Sequence, residues 1–155
     1  MRFFLAGIMQ GSHLAAVIHH QGYREHLREL IAAEFPDAEI YDPLADNRMS
    51  IEYDDATGRA VFYRHNRMCR EVDVIVAFVP EASMGTAIEM WEAYEHGRGA
   101  VIAISPLVHN WAIRFCSHAV YHDFEQFEAA LASGDLRRRI EEVLRQRQRC
   151  DSTDG

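Results

Sequence analysis

DVIVAFVPEASMGTAIE, residues 73–89, passes from an almost continuous apolar run into a polar, glycine-containing turn and then into helical spacing. An apolar run of this kind is typical of a central parallel strand that is covered on both faces. The turn after such a strand lies at the carboxyl edge of the sheet, where α/β folds bind small molecules. The stretch therefore predicts an α/β fold with a ligand site around Ser83–Glu89.

Strands and helices alternate on both sides of this stretch. Apolar segments predict strands at 3–7, 39–42, 72–79, 100–104 and 120–121, and helical spacing predicts helices at 23–34, 59–71, 86–97, 124–131 and 135–148. Residues 8–22 and 43–58 read as long connections, and residues 149–155 as a flexible C-terminal tail. The order predicts one doubly wound parallel sheet, Rossmann or flavodoxin-like, in a single three-layer domain over residues 1–148.

Composition narrows the class of protein. The 155 residues carry a formal charge of −8, which argues against nucleic acid as the main partner. All 16 basic residues are arginine, so Schiff-base chemistry and a P-loop lysine are excluded. No apolar run approaches the roughly 18 residues that span a bilayer. Three widely spaced cysteines (Cys69, Cys116 and Cys150) favour a reducing cytoplasm.

The sequence favours neither a metal site nor a cofactor. His19 and His20 are adjacent and would point apart on a helix, and His118 and His122 are too far apart on an extended chain to share one ion. The glycines after the first strand do not form the GxGxxG fingerprint of dinucleotide binding. We therefore expect a small-molecule substrate without a bound cofactor.

Two glycine turns offer groups that bind a ligand. Gly7 and Gly11 follow the first strand, where backbone N–H groups hold a ribose or phosphate, unless the segment is a plain βα turn; the residues favour neither reading. Ser83 is placed to cap the helix that follows the central strand, and Gly85 allows a close backbone approach.

Two titratable residues are candidates for catalysis. Glu89 follows the Ser83 cap, where the helix dipole is expected to lower its pKa and favour the anion that attacks an electrophilic carbon. The simpler alternative is a favourable surface charge. His65, on the helix before the central strand, is a candidate general acid or base near neutral pH, with a solvated polar face as its simpler alternative.

Together these residues resemble the nucleoside 2-deoxyribosyltransferase family and its relatives, the 2′-deoxynucleoside 5′-phosphate N-hydrolases and CMP N-glycosidases. The resemblance covers most of residues 2–131. It includes Phe3–Gly7 and the strand from Val72 to Ala77. Its specific part is Ser83-Met-Gly85-Thr-Ala-Ile-Glu89, which is similar to the Ser-x-Gly-x-x-x-Glu turn whose Glu is the family's nucleophile.

The resemblance implies cleavage or transfer at the N-glycosidic bond of a (deoxy)nucleoside or its 5′-monophosphate. Glu89 would attack C1′, and water or a second base would resolve the ribosyl ester. Ser83 and Gly85 would hold the sugar or its 5′ group. A homodimer is also implied, in which Asn110 or Ser117 reaches into the neighbour's site. The resemblance leaves open whether the acceptor is water or a base.

Three positions depart from the family pattern. His65 stands in place of an aspartate, Phe4 in place of the tyrosine that orients the nucleophile, and Gln10 in place of an arginine that meets the 5′-phosphate. Either His65 protonates the leaving base, or the reaction differs. The departures keep a second hypothesis open, a non-catalytic nucleotide-binding or sensor module. In place of the arginine missing at position 10, Arg64, Arg67 or Arg114 would supply the positive charge that binds a 5′-phosphate.

The connection at 43–58 is long enough to carry substrate selectivity. Its polar side chains are those of Asp46, Asn47, Tyr53, Asp54 and Asp55.

Overall fold

The computed structural model describes residues 1–8 and 21–151. Within them, one parallel sheet has the strand order β2-β1-β3-β4-β5. This sheet confirms the predicted doubly wound α/β fold, and the order reverses beside β1, which is where such folds bind ligands. The strands are β1 Arg2–Gly7, β2 Glu39–Tyr41, β3 Val74–Phe78, β4 Ala100–Ile104 and β5 Ala119–Tyr121.

Helices cover both faces of the sheet, because successive strand residues point to opposite sides. The described helices are α1 Gly22–Glu34, α2 Pro43–Asp46, α3 Asp55–Glu71, α4 Met84–His96, α5 Trp111–Phe115, α6 Phe124–Ala132 and α7 Asp135–Asp151, with a 3-10 turn at Ser50–Glu52. Phe3 and Leu5 of β1 pack with residues of α1, α6 and α7, whereas Phe4 and Ala6 pack with residues of α3, α4 and α5.

Capping residues explain where the helices depart from the predicted bounds. Asp42 accepts a hydrogen bond from the backbone N–H of Leu44, and α2 begins inside the expected connection. Asp54 caps α3 in the same way through the N–H of Thr57, so this helix starts four residues before position 59. At the other end of the chain, α7 continues to Asp151, where a flexible tail was expected from residue 149.

Within residues 1–8 and 21–151, no helix combines the length and the apolar character that a membrane span requires.

Candidate active site

Glu89 is the carboxylate that the sequence singled out as a candidate nucleophile. It lies in the second turn of α4 and is partly buried. Its charge influences the pKa values of Tyr23 on α1 and Cys69 on α3, so the carboxyl faces the space between these two helices. Among the described residues it has no hydrogen-bond or ion-pair partner. The alternative of an ordinary surface glutamate does not describe this position.

The pKa of Glu89 is shifted in the opposite direction from the one predicted. Burial raises it to about 7, and the charge of Arg24 lowers it against that effect. The helix dipole acts mainly within the first turn, whereas α4 begins at Met84 and Glu89 is its sixth residue. Desolvation therefore dominates, and both protonation states of Glu89 are populated near neutral pH.

Arg24 is the buried cation beneath this site, with a side chain only 3% exposed. Its Nη1 donates to the carbonyl of Leu5 at 2.8 Å and to Oδ1 of Asp42 at 3.0 Å. Nη2 donates to the carbonyl of Gly7 at 3.2 Å, and Nε donates to Oε1 of Gln21 at 2.7 Å. The guanidinium thus joins the end of β1 to the residue that starts α2.

Tyr23 explains why residue 7 is glycine. A Cβ built at position 7 would lie 2.5 Å from Oη of Tyr23 and 3.0 Å from the carbonyl of Phe78, closer than packed atoms approach. The Tyr23 hydroxyl donates to the carbonyl of Ile8, and burial raises its pKa to about 12. Gly7 therefore has a packing role, and its predicted part in substrate binding remains a prediction.

His65 is buried in a polar cluster and is not part of a solvated face. Its Nε2 lies 3.1 Å from Oη of Tyr41 and 3.4 Å from Nδ2 of Asn47. Asn47 also donates to the carbonyl of Pro43, which orients its amide with nitrogen toward the ring. Nε2 is therefore the acceptor, and the proton of the neutral ring is on Nδ1.

The pKa of His65 lies well below the value that a general acid needs at neutral pH. Burial, together with the charges of Arg64 and Arg24, lowers it to about 4, although the charge of Asp46 acts in the opposite direction. The protonated form is scarce near pH 7, because the ring has little contact with water. The structure thus corrects the expectation of a histidine that titrates near neutrality, and a proton-donating role for His65 stays a prediction.

Ser83 and Gly85 occupy the positions predicted from the sequence. Ser83 is the N-cap of α4, and its Oγ lies 2.9 Å from Oγ1 of Thr86. A Cβ added at Gly85 would meet no atom of another described residue within 4 Å, apart from its neighbours in the helix, and the backbone there has no positive φ. Neither packing nor conformation demands a glycine at position 85, so the space beside it is open to a ligand.

Asn110 lies near Ser83, on the side of α4 away from Glu89. It caps α5 by accepting hydrogen bonds from the N–H groups of Ala112 and Ile113. Ser83 and Asn110 both line a pocket of about 160 Å³, which Glu89 does not line and whose floor is apolar, formed by Val79, Met90, Leu107 and Ile113.

One predicted binding residue, Ser117, is not brought to this site within the described chain. Ser117 precedes β5 and therefore lies at the amino edge of the sheet, opposite the edge that carries Ser83. Its hydroxyl is buried without a partner among the described residues. Ser117 would reach such a site only in the neighbouring copy of a dimer. Gly11 lies outside the described residues, as do Gln10, His19 and His20.

In residues 1–8 and 21–151, no three His, Cys, Asp or Glu side chains form a group able to hold an ion.

Sequence reasoning missed Arg24 and Asp42. Arg24, Leu27 and Ile31 form the buried face of α1, so a cation interrupts an apolar stripe with helical spacing. The sequence alone could have indicated a buried ion pair here, because a charged side chain on a buried stripe requires a partner. The partner, Asp42, could not be identified from the sequence, since it depends on how β2 lies beside β1.

Comparisons with known proteins support this architecture. No protein-family model and no curated protein matches the sequence. Among solved structures, the chain is similar to the 2-deoxyribosyltransferase of the psychrotolerant bacterium Bacillus psychrosaccharolyticus, with a TM-score of 0.61 and 17% identity. The similarity covers 84% of this chain and 96% of that one. The chain therefore has the fold of a 2-deoxyribosyltransferase.

Proposed function

We propose that this chain is an enzyme that cleaves or transfers at the N-glycosidic bond of a nucleoside or nucleoside 5′-monophosphate. The observation that carries the proposal is the Glu89 carboxyl, partly buried near the end of β1 and without a partner among the described residues. The open space beside Gly85 supports it. The similarity to a 2-deoxyribosyltransferase, described as a biocatalyst for nucleoside synthesis, adds support from the fold.

The proposed reaction has two steps. An Oε atom of ionised Glu89 bonds to C1′ while the bond from C1′ to the base nitrogen breaks, and the bonding electrons leave with the base, which takes up a proton. Water or a second base then attacks C1′, and the ester bond to Glu89 breaks. Two inversions at C1′ give overall retention, as in retaining glycosidases. Water gives a hydrolase and a base gives a transferase.

The proposal is tested with a panel of nucleosides and their 5′-monophosphates. Chromatography measures the free base that is released from each. The panel is run with and without a second base, for wild type, Glu89→Gln and Glu95→Gln. Glu95 is an exposed glutamate of the same helix and serves as the matched control. We expect activity to fall by at least about 10³-fold in Glu89→Gln only, because the nucleophile is lost.

Several outcomes are informative. Release without added base identifies a hydrolase, and product that forms only with added base identifies a transferase. His65→Gln in the same assay tests the predicted proton donor, which requires a loss larger for poor leaving bases than for good ones. Full activity in Glu89→Gln would overturn the proposed mechanism.

The second candidate function is a nucleotide-binding module without chemistry. Phe4 favours it, because a fully buried ring without a hydroxyl stands where the family has the tyrosine that orients the nucleophile. The Phe4 ring stacks on Tyr41 with centroids 5.6 Å apart and meets the edge of His65 at 6.2 Å. Thermal stabilisation by a nucleotide, with no base released from any member of the panel, would favour this function over the enzyme.

We also propose a homodimer that forms through α4 and α5. Met84 and Trp111 are 84% and 73% exposed. Exposed apolar surface of this extent marks interaction sites, and a second copy offers the same surface for a symmetric contact. Asn110 directly precedes Trp111, so such a contact would bring it near the second copy. The other large apolar side chains exposed on these helices are Ile88, Trp91 and Phe115.

We propose a cytoplasmic location as well. The thiols of Cys69 and Cys116 are free and buried, which suits a reducing compartment. When intact cells are labelled with a membrane-impermeant reagent, we expect no modification of this chain.

A further inference from the structure

A cavity of about 510 Å³, the amino-edge cavity, lies at the edge of the sheet where the strands begin. Its lining comes from four segments: the start of β1, the passage from α3 to β3, the passage from α4 to β4, and the last turns of α7. Strand β1 runs from Arg2 at this edge to Gly7 at the other, which separates the two edges by about 17 Å. The cavity therefore has the volume of a small-molecule site and lies apart from the candidate active site.

The amino-edge cavity collects positive charge in a chain whose formal net charge is −8. The carboxylates among its lining residues are those of Glu71 and Asp73, and Oδ2 of Asp73 already accepts a hydrogen bond from the backbone N–H of Arg2 at 2.6 Å. Cations gathered around one space repel each other, so a bound anion is favoured there. Four of the chain's 16 arginines, widely separated in sequence, line the cavity: Arg2, Arg70, Arg98 and Arg147.

Contacts within the protein use part of the hydrogen-bonding capacity of these arginines. Nη2 of Arg2 donates to the carbonyl of Glu71, and Nε of Arg70 donates to Oε2 of Glu92 at 2.6 Å. A guanidinium carries five N–H donors. Arg2 and Arg70 therefore keep donors that no described residue accepts, and these donors are available to a ligand.

Arg147 is held in place without a ligand. Its guanidinium donates to the carbonyls of Gly97 and Tyr94, and its central carbon lies 5.6 Å from the centroid of the Tyr94 ring. A cation that is already ordered loses little conformational entropy when an anion binds to it. Capping of helix ends explains the contacts of Arg2 and Arg147, but it does not require Arg70 and Arg98 to line the same cavity.

We propose that the amino-edge cavity binds a small molecule that carries phosphate groups. Phosphate oxygens point in several directions and carry two or more charges, so guanidinium groups from different segments can donate to them together. A carboxylate is planar, and one guanidinium is enough to match it. Val72 and Leu144 give the cavity an apolar part for the rest of the molecule.

Calorimetric titration with pyrophosphate, at constant ionic strength because salt screens charged contacts, tests the proposal. We expect one pyrophosphate to bind per chain with a Kd below about 1 mM. Succinate, a dicarboxylate, should bind at least about tenfold more weakly, because its planar groups engage fewer of the guanidinium donors. Equal affinity for succinate would overturn the assignment of phosphate as the ligand chemistry.

Substitutions locate the binding site. Arg2→Gln and Arg98→Gln should each raise the Kd for pyrophosphate by at least about tenfold, since each removes a charged donor. Arg145→Gln is the matched control, because Arg145 is an exposed arginine of α7 that does not line the cavity. Its Kd should stay within about twofold of wild type, since a distant exposed charge is screened by salt. Glu89→Gln should also bind pyrophosphate as wild type does.

The inference is overturned if wild type does not bind pyrophosphate, or if Arg145→Gln weakens binding as much as Arg98→Gln. A loss of binding in Glu89→Gln would place the anion at the candidate active site and would equally contradict it. Cleavage of nucleosides plays no part in these titrations, so the proposed function and this inference fail independently.

Glu71→Gln provides a second test if the arginine variants do not fold. The Glu71 side chain lines the cavity, whereas Arg2 binds its backbone carbonyl, which the substitution keeps. Removing this carboxylate should lower the Kd for pyrophosphate by about two- to fivefold, because a like charge beside the anion is lost. An unchanged or higher Kd would contradict the inference.

Discussion

At the scale of single residues, Glu89 illustrates a conflict between stability and chemistry. An unfolded glutamate ionises near pH 4.5, whereas burial raises the pKa of Glu89 to about 7 in the folded chain. Between these values the folded state retains a proton that the unfolded state has released. The contribution of Glu89 to stability is therefore fully present below about pH 4.5 and is lost as the pH rises through about 7.

Replacing Glu89 with glutamine should stabilise the protein at alkaline pH. The amide removes the cost of a buried charge, which we expect to be about 1 to 3 kcal/mol at pH 8 and close to zero at pH 4.5. Urea unfolding at both pH values measures the difference from wild type. His65 and His118, whose pKa values burial lowers to about 4, contribute equally to both proteins and cancel.

The matched variant for this comparison is Glu95→Gln, whose side chain is exposed on the same helix. It should change stability by less than about 0.5 kcal/mol at either pH. A stability difference between wild type and Glu89→Gln that is the same at pH 4.5 and pH 8 would contradict the raised pKa of Glu89.

At the scale of secondary-structure elements, the first turn of α4 carries a residue that the helix itself disfavours. Gly85 is the second residue of α4, and glycine there costs conformational entropy relative to alanine. Since a Cβ at this position meets nothing within 4 Å in the part of the chain that the structure describes, the methyl group can be added there without strain. A glycine kept at such a position suggests that something outside the helix needs the space.

Gly85→Ala is expected to raise stability and to lower activity. The gain in helix propensity, up to about 1 kcal/mol, should raise Tm by about 1 to 3 °C. The methyl group should lower kcat/KM for base release by at least about tenfold, because it would occupy space that we assign to the substrate. Calorimetry and the chromatographic assay measure the two effects.

Gly58→Ala is the matched control for this variant. Gly58 lies in the first turn of α3 and also has no atom within 4 Å of an added Cβ. The Gly58→Ala variant should be stabilised in the same way as Gly85→Ala and should keep the activity of wild type. Equal activity in both alanine variants would show that no ligand approaches Gly85.

At the scale of the whole molecule, the apolar surface of α4 and α5 predicts the oligomeric state. Sedimentation velocity at micromolar concentration should give a dimer for wild type and a monomer for Trp91→Glu, since a charge in the centre of an apolar contact is strongly unfavourable. Phe62→Glu, on α3, is the control, as Phe62 is similarly exposed on a different helix. A monomeric wild type, or a Trp91→Glu dimer, would contradict this prediction.

The sheet could be predicted from the sequence because its central strands are fully buried and read as continuous apolar runs. Residues 100–104 match β4 at both ends, and the Ser83 cap was identified from its position after β3. Helix α5 was missed, since its five residues are too few for helical spacing to appear. The bounds of α3 depended on the Asp54 cap, which a polar connection conceals.

The electrostatics of the site could not be predicted, because they depend on contacts between distant segments. Glu89 was expected to be more acidic than usual from its distance to a helix end, yet its pKa is set by burial and by Arg24, which is 65 positions earlier in the chain. His65 was expected to titrate near neutrality, yet burial and the charges of Arg64 and Arg24 lower its pKa and keep it neutral. Local sequence does not encode either environment.

The carbonyl of Ile8 accepts hydrogen bonds from both Nε2 of Gln21 and Oη of Tyr23, each at 3.1 Å. These bonds clamp the two ends of the segment between β1 and α1 to one point of the sheet edge. The end of β1 and the start of α1 therefore share one acceptor, and a substitution at Gln21 or Tyr23 that removes its donor acts directly on the residue that follows the strand.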